Sequence, residues 1–138
     1  MNIWLIDDDD ITNMLHQFFL EEYFPDASIV VFSQAELALT ALAENPMFPD
    51  HIFLDINMPV MDGWEFLDAF SEMAIPNSNK IQIHILTSSL DPNDFAKAEQ
   101  SPFVHGIISK PLEIEKVLFL KNWFQTQALE LSHHHFSC

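Results

Sequence analysis

The sequence predicts an α/β fold: a five-stranded parallel sheet, doubly wound, with five helices covering its two faces. Three observations point to it. Short apolar runs alternate five times with longer stretches of helical period. The runs are rich in Ile, Val, Leu and Phe on both faces, as parallel strands buried under helices are. The residues that follow the runs are carboxylates, hydroxyls and a lysine, and in sheets of this kind chemistry collects at the carboxyl ends of the strands.

The first run, 2–6, meets Asp7, Asp8, Asp9 and Asp10, and helical period follows over 11–23. Pro25 turns the chain into the second run, 28–32, and a helix over 34–44 ends before Pro46 and Pro49. The third run, 51–54, stops at Asp55, and Asp62 has the character of an N-cap for a helix over 63–73. Beyond Pro76 the fourth run, 81–86, ends in Thr87, Ser88 and Ser89; Asp91 then caps a helix over 92–100 with Pro92 in its first position. The fifth run, 104–108, ends in Ser109, Lys110 and Pro111, and a last helix covers 112–130. Right-handed crossovers would place the helices on both faces. Residues 1–130 read as one domain and 131–138 as a flexible tail.

Composition narrows the function. A chain of 138 residues with 49% hydrophobic residues builds one core. Five Lys and no Arg against 21 acidic residues give a net charge of −16, which disfavours nucleic acid and suits cations or basic partner proteins. The one cysteine, Cys138, allows no intrachain disulfide, and no segment approaches the roughly 18 apolar residues of a membrane span. The expected location is the cytoplasm, away from membranes.

Carboxylates that converge at the strand ends repel one another unless a cation neutralises them, and hard oxygen donors suit Mg²⁺ or Mn²⁺. With a metal present, one carboxylate could attack phosphorus while Lys110 and a strand-end hydroxyl hold the phosphoryl oxygens. Four features occur in order: the acidic cluster after the first strand, Asp55-Ile56-Asn57-Met58-Pro59-Val60-Met61-Asp62-Gly63, Leu86-Thr87-Ser88, and Lys110-Pro111. Over nearly its whole length the chain resembles the response-regulator receiver domains of two-component signalling, here standing alone.

That resemblance implies a flavodoxin-like fold and assigns roles. Asp55 would be the phosphoacceptor, supplied by a sensor histidine kinase or a histidine phosphotransfer protein. Asp7, Asp8, Asp55 and the backbone carbonyl of Asn57 would hold Mg²⁺ (or Mn²⁺). Thr87 and Lys110 would contact the phosphoryl group, the bond before Pro111 would be cis, and Asn57 and Ser89 would tune the acyl-phosphate lifetime. The domain would not be an enzyme, although it would assist its own phosphorylation and dephosphorylation. One departure is Ile107, where the family commonly has the Tyr or Phe of its output switch.

Two other classes compete. A phosphohydrolase of the haloacid-dehalogenase type could use Asp8, Asp10 and Thr12, but such enzymes need a late acidic pair and no aspartate follows Asp94. An adaptor that binds partners without phosphorylation is the other, kept open by Ile107. A calcium loop is excluded, because the acidic run lacks the central Gly and terminal Glu.

The remaining features have plainer readings. Val60 and Met61 are expected to tuck inward from their loop. His16, His51, His84 and His105 have no ligand spacing and receive no role, and His133, His134, His135 and Cys138 belong to the tail. Periodicity puts Val117, Leu120, Phe124 and Ala128 on the buried face of the last helix. It leaves Leu112, Phe119 and Trp123 outward, with Phe119 and Trp123 as a candidate surface for a downstream protein.

Overall fold

In the computed structural model, which describes residues 1–44, 47–88 and 91–132, five strands alternate with five helices. Side chains are described up to residue 127; Pro46, Ser89, the side chain of Ala128, His133 to His135 and Cys138 lie outside. The strands are β1 (Asn2–Ile6), β2 (Ser28–Phe32), β3 (His51–Asp55), β4 (Gln82–Thr87) and β5 (Val104–Ser109). The helices are α1 (Asp10–Tyr23), α2 (Ala35–Glu44), α3 (Gly63–Glu72), α4 (Pro92–Gln100) and α5 (Ile114–Ser132). A short 3₁₀ turn, Ser78–Lys80, precedes β4 and has no counterpart in the expected elements.

All strand pairs are parallel, in the order β2-β1-β3-β4-β5. This is the doubly wound, flavodoxin-like arrangement. Strand alternation divides the core in two. Trp4, Ile6, Ile52, Leu54, Ile83 and Ile85 face α2, α3 and α4, where Phe66 and Phe70 fill the layer. Ile3, Leu5, Phe53 and Leu86 face α1 and α5, where they meet Leu20, Val117, Leu120 and Phe124. Each such burial contributes about 1.5–3 kcal/mol. Only the inner strands are apolar and covered on both faces: at the edge of the sheet β2 leaves Val30 and Val31 exposed.

The strand ends lie one residue later than the apolar runs suggest at β3, β4 and β5, so Asp55, Thr87 and Ser109 are each the last residue of a strand. Asp62 caps α3 as expected, with a reciprocal bond from Asp62 N–H to Glu65. Asp91 caps α4 and Pro92 is its first residue.

Three expectations are corrected. Leu112 does not belong to α5; it lies in the loop after Pro111 and is fully buried. Trp123 is only partly exposed, packing edge-on against His84 at 5.8 Å. Val60 points out, 87% exposed, because its φ of 70° turns the loop away from the core, while Met61 does pack inward.

Gly63 fixes how closely α3 approaches the end of β3. A Cβ there would lie 2.7 Å from Ile56 Cα and 3.0 Å from the Asp55 carbonyl oxygen, both backbone atoms with little room to yield. Gly63→Ala is therefore expected to destabilise the fold by about 1–3 kcal/mol, by forcing helix and strand apart. Urea unfolding checks this; a change within about 0.5 kcal/mol, the scatter of neutral surface changes, would show that the contact yields freely.

Candidate functional site

The site forms where β1 and β3, neighbours on either side of the reversal in strand order, release their chains. Asp7 follows β1 directly and is anchored by its own N–H on the Phe32 carbonyl at 3.1 Å. The next acidic residues divide by position. Asp8 is exposed, Asp9 is the N-cap of α1, and Asp10 is the first residue of that helix. Asp9 accepts from the N–H groups of Thr12 and Ile11, and these bonds hold its carboxyl below the ordinary range.

Asp55 and Asp7 are each 2% exposed. Lys110 Nζ lies between them, 3.1 Å from Asp7 Oδ2 and 3.3 Å from Asp55 Oδ1. Ligand atoms of Asp7, Asp8 and Asp55 all lie within 4.8 Å of one another, the one such group of three or more among the described residues. Asn57 is brought to the same point, its N–H donating to Asp55 Oδ1 at 3.2 Å. Thr87 ends β4 fully buried and in register with Ser109, and its carbonyl accepts from Lys110 N–H at 2.8 Å. The Lys110–Pro111 bond is cis.

The electrostatics are unbalanced. Burial, and then the charge of Asp7, raise the Asp55 pKa to about 6, against the pull of Lys110. Burial lowers the Lys110 pKa, but the Asp55 and Asp7 carboxylates outweigh it and hold the ammonium above its usual value. One cation facing three carboxylates leaves negative charge uncompensated, and every donor in the set is a hard oxygen. These residues fit Mg²⁺ or Mn²⁺ in charge and chemistry.

Some residues in contact with the site left no signal in the sequence. Asn13 and His16, on the buried face of α1, bond the loops that carry Asp7 and Lys110: Asn13 Nδ2 donates to the Asp7 carbonyl at 2.7 Å, and His16 Nε2 accepts from Leu112 N–H at 2.9 Å. His51 and His84, far apart in sequence, face each other across adjacent strands with ring nitrogens 3.1 Å apart. Three histidines given no role are thus structural partners. An Asp-x-Asp-x-Thr reading would need Asp10 and Thr12 beside Asp8, but both lie within α1.

The fold and the acidic pocket define a class: doubly wound domains with converging carboxylates and a lysine at the strand ends. The sequence model described as "Response regulator receiver domain" matches residues 3–120, and the chain belongs to that family. It is similar to a two-component response regulator from Cytophaga hutchinsonii, with 36% identity over 91% of this chain and 96% of that one, at a TM-score of 0.81. A receiver protein from Dyadobacter fermentans is 27% identical over 90% and 98% of the two chains, at a TM-score of 0.75. A response regulator from Legionella pneumophila, 24% identical over 91% and 98%, shares the fold at a TM-score of 0.77. None of the curated proteins matches. Receiver domains are generally signalling domains that bind Mg²⁺ at an acidic pocket and take phosphoryl groups from histidine kinases or phosphotransfer proteins. No helix among the described residues is long and apolar enough to cross a membrane.

Proposed function

We propose that this chain is a phosphorelay receiver whose Asp55 takes a phosphoryl group from a phosphohistidine on a sensor kinase or phosphotransfer protein, and that it signals through protein contacts. The observation that carries this reading is the buried Asp55 carboxylate, 3.3 Å from Lys110 and grouped with Asp7 and Asp8. Lys110 and Asn57 N–H both engage Oδ1, which leaves Oδ2 to attack phosphorus. The new O–P bond forms as the P–N bond breaks, and the donor's imidazole nitrogen keeps the electron pair. Lys110 then pairs with a phosphoryl oxygen and Thr87 donates its hydroxyl to another. A Mg²⁺ held by Asp7, Asp8, Asp55 and the Asn57 carbonyl supplies charge neutralisation for the transferred group. Hydrolysis returns inorganic phosphate and the free carboxylate.

The surface supports two contacts. Ile11, Met14, Leu15 and Phe18 recur at helical spacing on the outer face of α1 and are all exposed, beginning one turn from the acidic pocket. They offer a phosphodonor an apolar landing strip on the helix that the acidic run opens. The second contact is output. Phe119, 68% exposed, and Trp123 line a groove of about 420 Å³ between β5 and α5. The groove is open at Gly106, where a Cβ would meet nothing within 4 Å. With Ile107 partly buried, no aromatic ring rotates at that position, and this groove is the proposed face for a downstream protein.

One experiment tests the reading: the chain with acetyl phosphate and millimolar Mg²⁺, followed by intact mass. One added, acid-labile phosphoryl group is expected. Mg²⁺ alone should raise the unfolding free energy, by about 1.4 kcal/mol at tenfold its dissociation constant. A chain that gains no mass while Mg²⁺ stabilises it would be a cation-binding adaptor instead of a phosphoacceptor.

A further inference from the structure

Asn13 and His16 lie one turn apart on the buried face of α1, each almost wholly enclosed. This layer is otherwise built from Leu20, Leu5, Leu112 and Val117, and an amide or imidazole here costs desolvation that a leucine would avoid. Each side chain spends its buried polar atom on a different loop of the site.

Asn13 donates from Nδ2 to the Asp7 carbonyl at 2.7 Å. Because the partner is a carbonyl, the amide nitrogen must face it, which fixes the orientation of the side chain. The cost is visible: Asn13 Oδ1 is buried with no hydrogen-bond partner. A residue kept for packing alone would not carry that penalty. His16 accepts at Nε2 from Leu112 N–H at 2.9 Å, across 96 residues of sequence. Leu112 follows Pro111, which has no N–H to offer, so this is the first donor after Lys110 that can tie the loop to α1. On its other side, Lys110 N–H is tied to β4 through the Thr87 carbonyl at 2.8 Å. Burial keeps His16 neutral, with its pKa at about 4, so that Nε2 stays an acceptor.

We infer that Asn13 and His16 are positioning residues: through one rigid helix they hold the Asp7 loop and the Lys110 loop at the spacing that Asp55 requires. The inference rests on the reading of Asp55 as the phosphoacceptor. It predicts opposite effects on the cation, because Lys110 and Mg²⁺ compete for the same carboxylates.

The test uses the full chain with Asn13→Leu, His16→Leu and His16→Gln, the last of which keeps an acceptor near the position of Nε2. Mg²⁺ affinity is read by calorimetry, phosphorylation by acetyl phosphate at saturating Mg²⁺, and folding by thermal melts. Asn13→Leu is expected to weaken Mg²⁺ binding about tenfold, the usual scale for partners that orient ligands. His16→Leu should tighten Mg²⁺ binding while slowing phosphorylation about tenfold, and His16→Gln should recover most of that rate. A purely structural role would lower both quantities together and deny Gln any rescue. Folded variants with wild-type Mg²⁺ affinity and rate overturn the inference, as does His16→Gln as slow as His16→Leu. If wild-type chain takes up no phosphoryl group, the reading of Asp55 falls, while the opposite shifts in Mg²⁺ affinity still decide the roles of Asn13 and His16.

Discussion

Asp55→Asn is expected to abolish phosphorylation and, in metal-free protein at pH 7.5, to make the fold more stable by about 2–3 kcal/mol. The first effect follows from chemistry, since an amide oxygen is no nucleophile toward phosphorus at neutral pH. The second follows from the imbalance of the site. A carboxyl whose folded pKa is about 6 instead of 3.8 is favoured by folding only while protonated. Its stabilising contribution is complete below pH 4 and is lost as the pH rises through 6, so at pH 7.5 the ionised group costs nearly the full difference. The substituted amide would keep an oxygen to accept from Lys110 and Asn57 N–H and would put no second negative charge beside Asp7. Lys110 retains Asp7 as its partner at 3.1 Å. Intact mass after acetyl phosphate and urea unfolding without metal check the two halves separately. A variant phosphorylated at wild-type yield removes Asp55 from the mechanism, and a variant less stable than wild type shows that the ion pair with Lys110 outweighs the repulsion from Asp7.

Much of this site is legible in the sequence, because strand-end residues are local: Asp55 directly follows an apolar run, Lys110 follows another with only Ser109 between, and in a parallel sheet all such ends share one edge. The division of the acidic run is also local, since Asp9 and Asp10 serve the N-terminus of α1 while Asp7 directly follows β1. What stays hidden depends on packing between distant segments. His51 and His84 meet only because β3 and β4 are neighbours, with His51 opposite Gln82 and Phe53 opposite His84. His16 gains its partner 96 residues away, beyond the reach of any spacing rule. Leu112 is assigned to the wrong face when periodicity is run back past Ile114, the first residue of α5, into the loop after Pro111, where the 100° step no longer applies. Val60 defeats a different rule, since a β-branched residue at positive φ is disfavoured and nothing in its neighbours announces the turn.

The largest pH effect should come from those histidines. Burial lowers the pKa of His16 and of His51 to about 4, and that of His84 well below its ordinary value, with the neighbouring histidine adding to the shift. His51 stacks on Phe124 with ring centroids 3.9 Å apart, and His84 on Phe53 at 5.0 Å, so neither can charge without disturbing the layer between the sheet and α5. Each folded pKa lies below the unfolded value of 6.5, so the neutral rings contribute stability that is fully present above pH 6.5 and is lost as the pH falls towards 4. The unfolded chain takes up protons that the folded chain refuses. By pH 5 the loss is about 2 kcal/mol for each of His16 and His51, or roughly 4 kcal/mol for the two, and His84 adds to it in the same direction. Protonation of Asp55 works in the opposite direction and returns only about 1 kcal/mol at that pH. The histidines win, and a net loss of about 3 kcal/mol from His16 and His51 alone is a large fraction of the whole stability of many domains of this size. Urea unfolding between pH 8 and 5 should therefore show a steep fall below pH 6.5, and His84→Leu, which keeps the layer apolar, should flatten the slope by about one proton's worth, or about 1.4 kcal/mol per pH unit. Stability that holds level or rises between pH 7 and 5 would mean that the buried rings accept protons in the folded state, and the reading of His51 and His84 as a neutral, hydrogen-bonded pair would have to be given up.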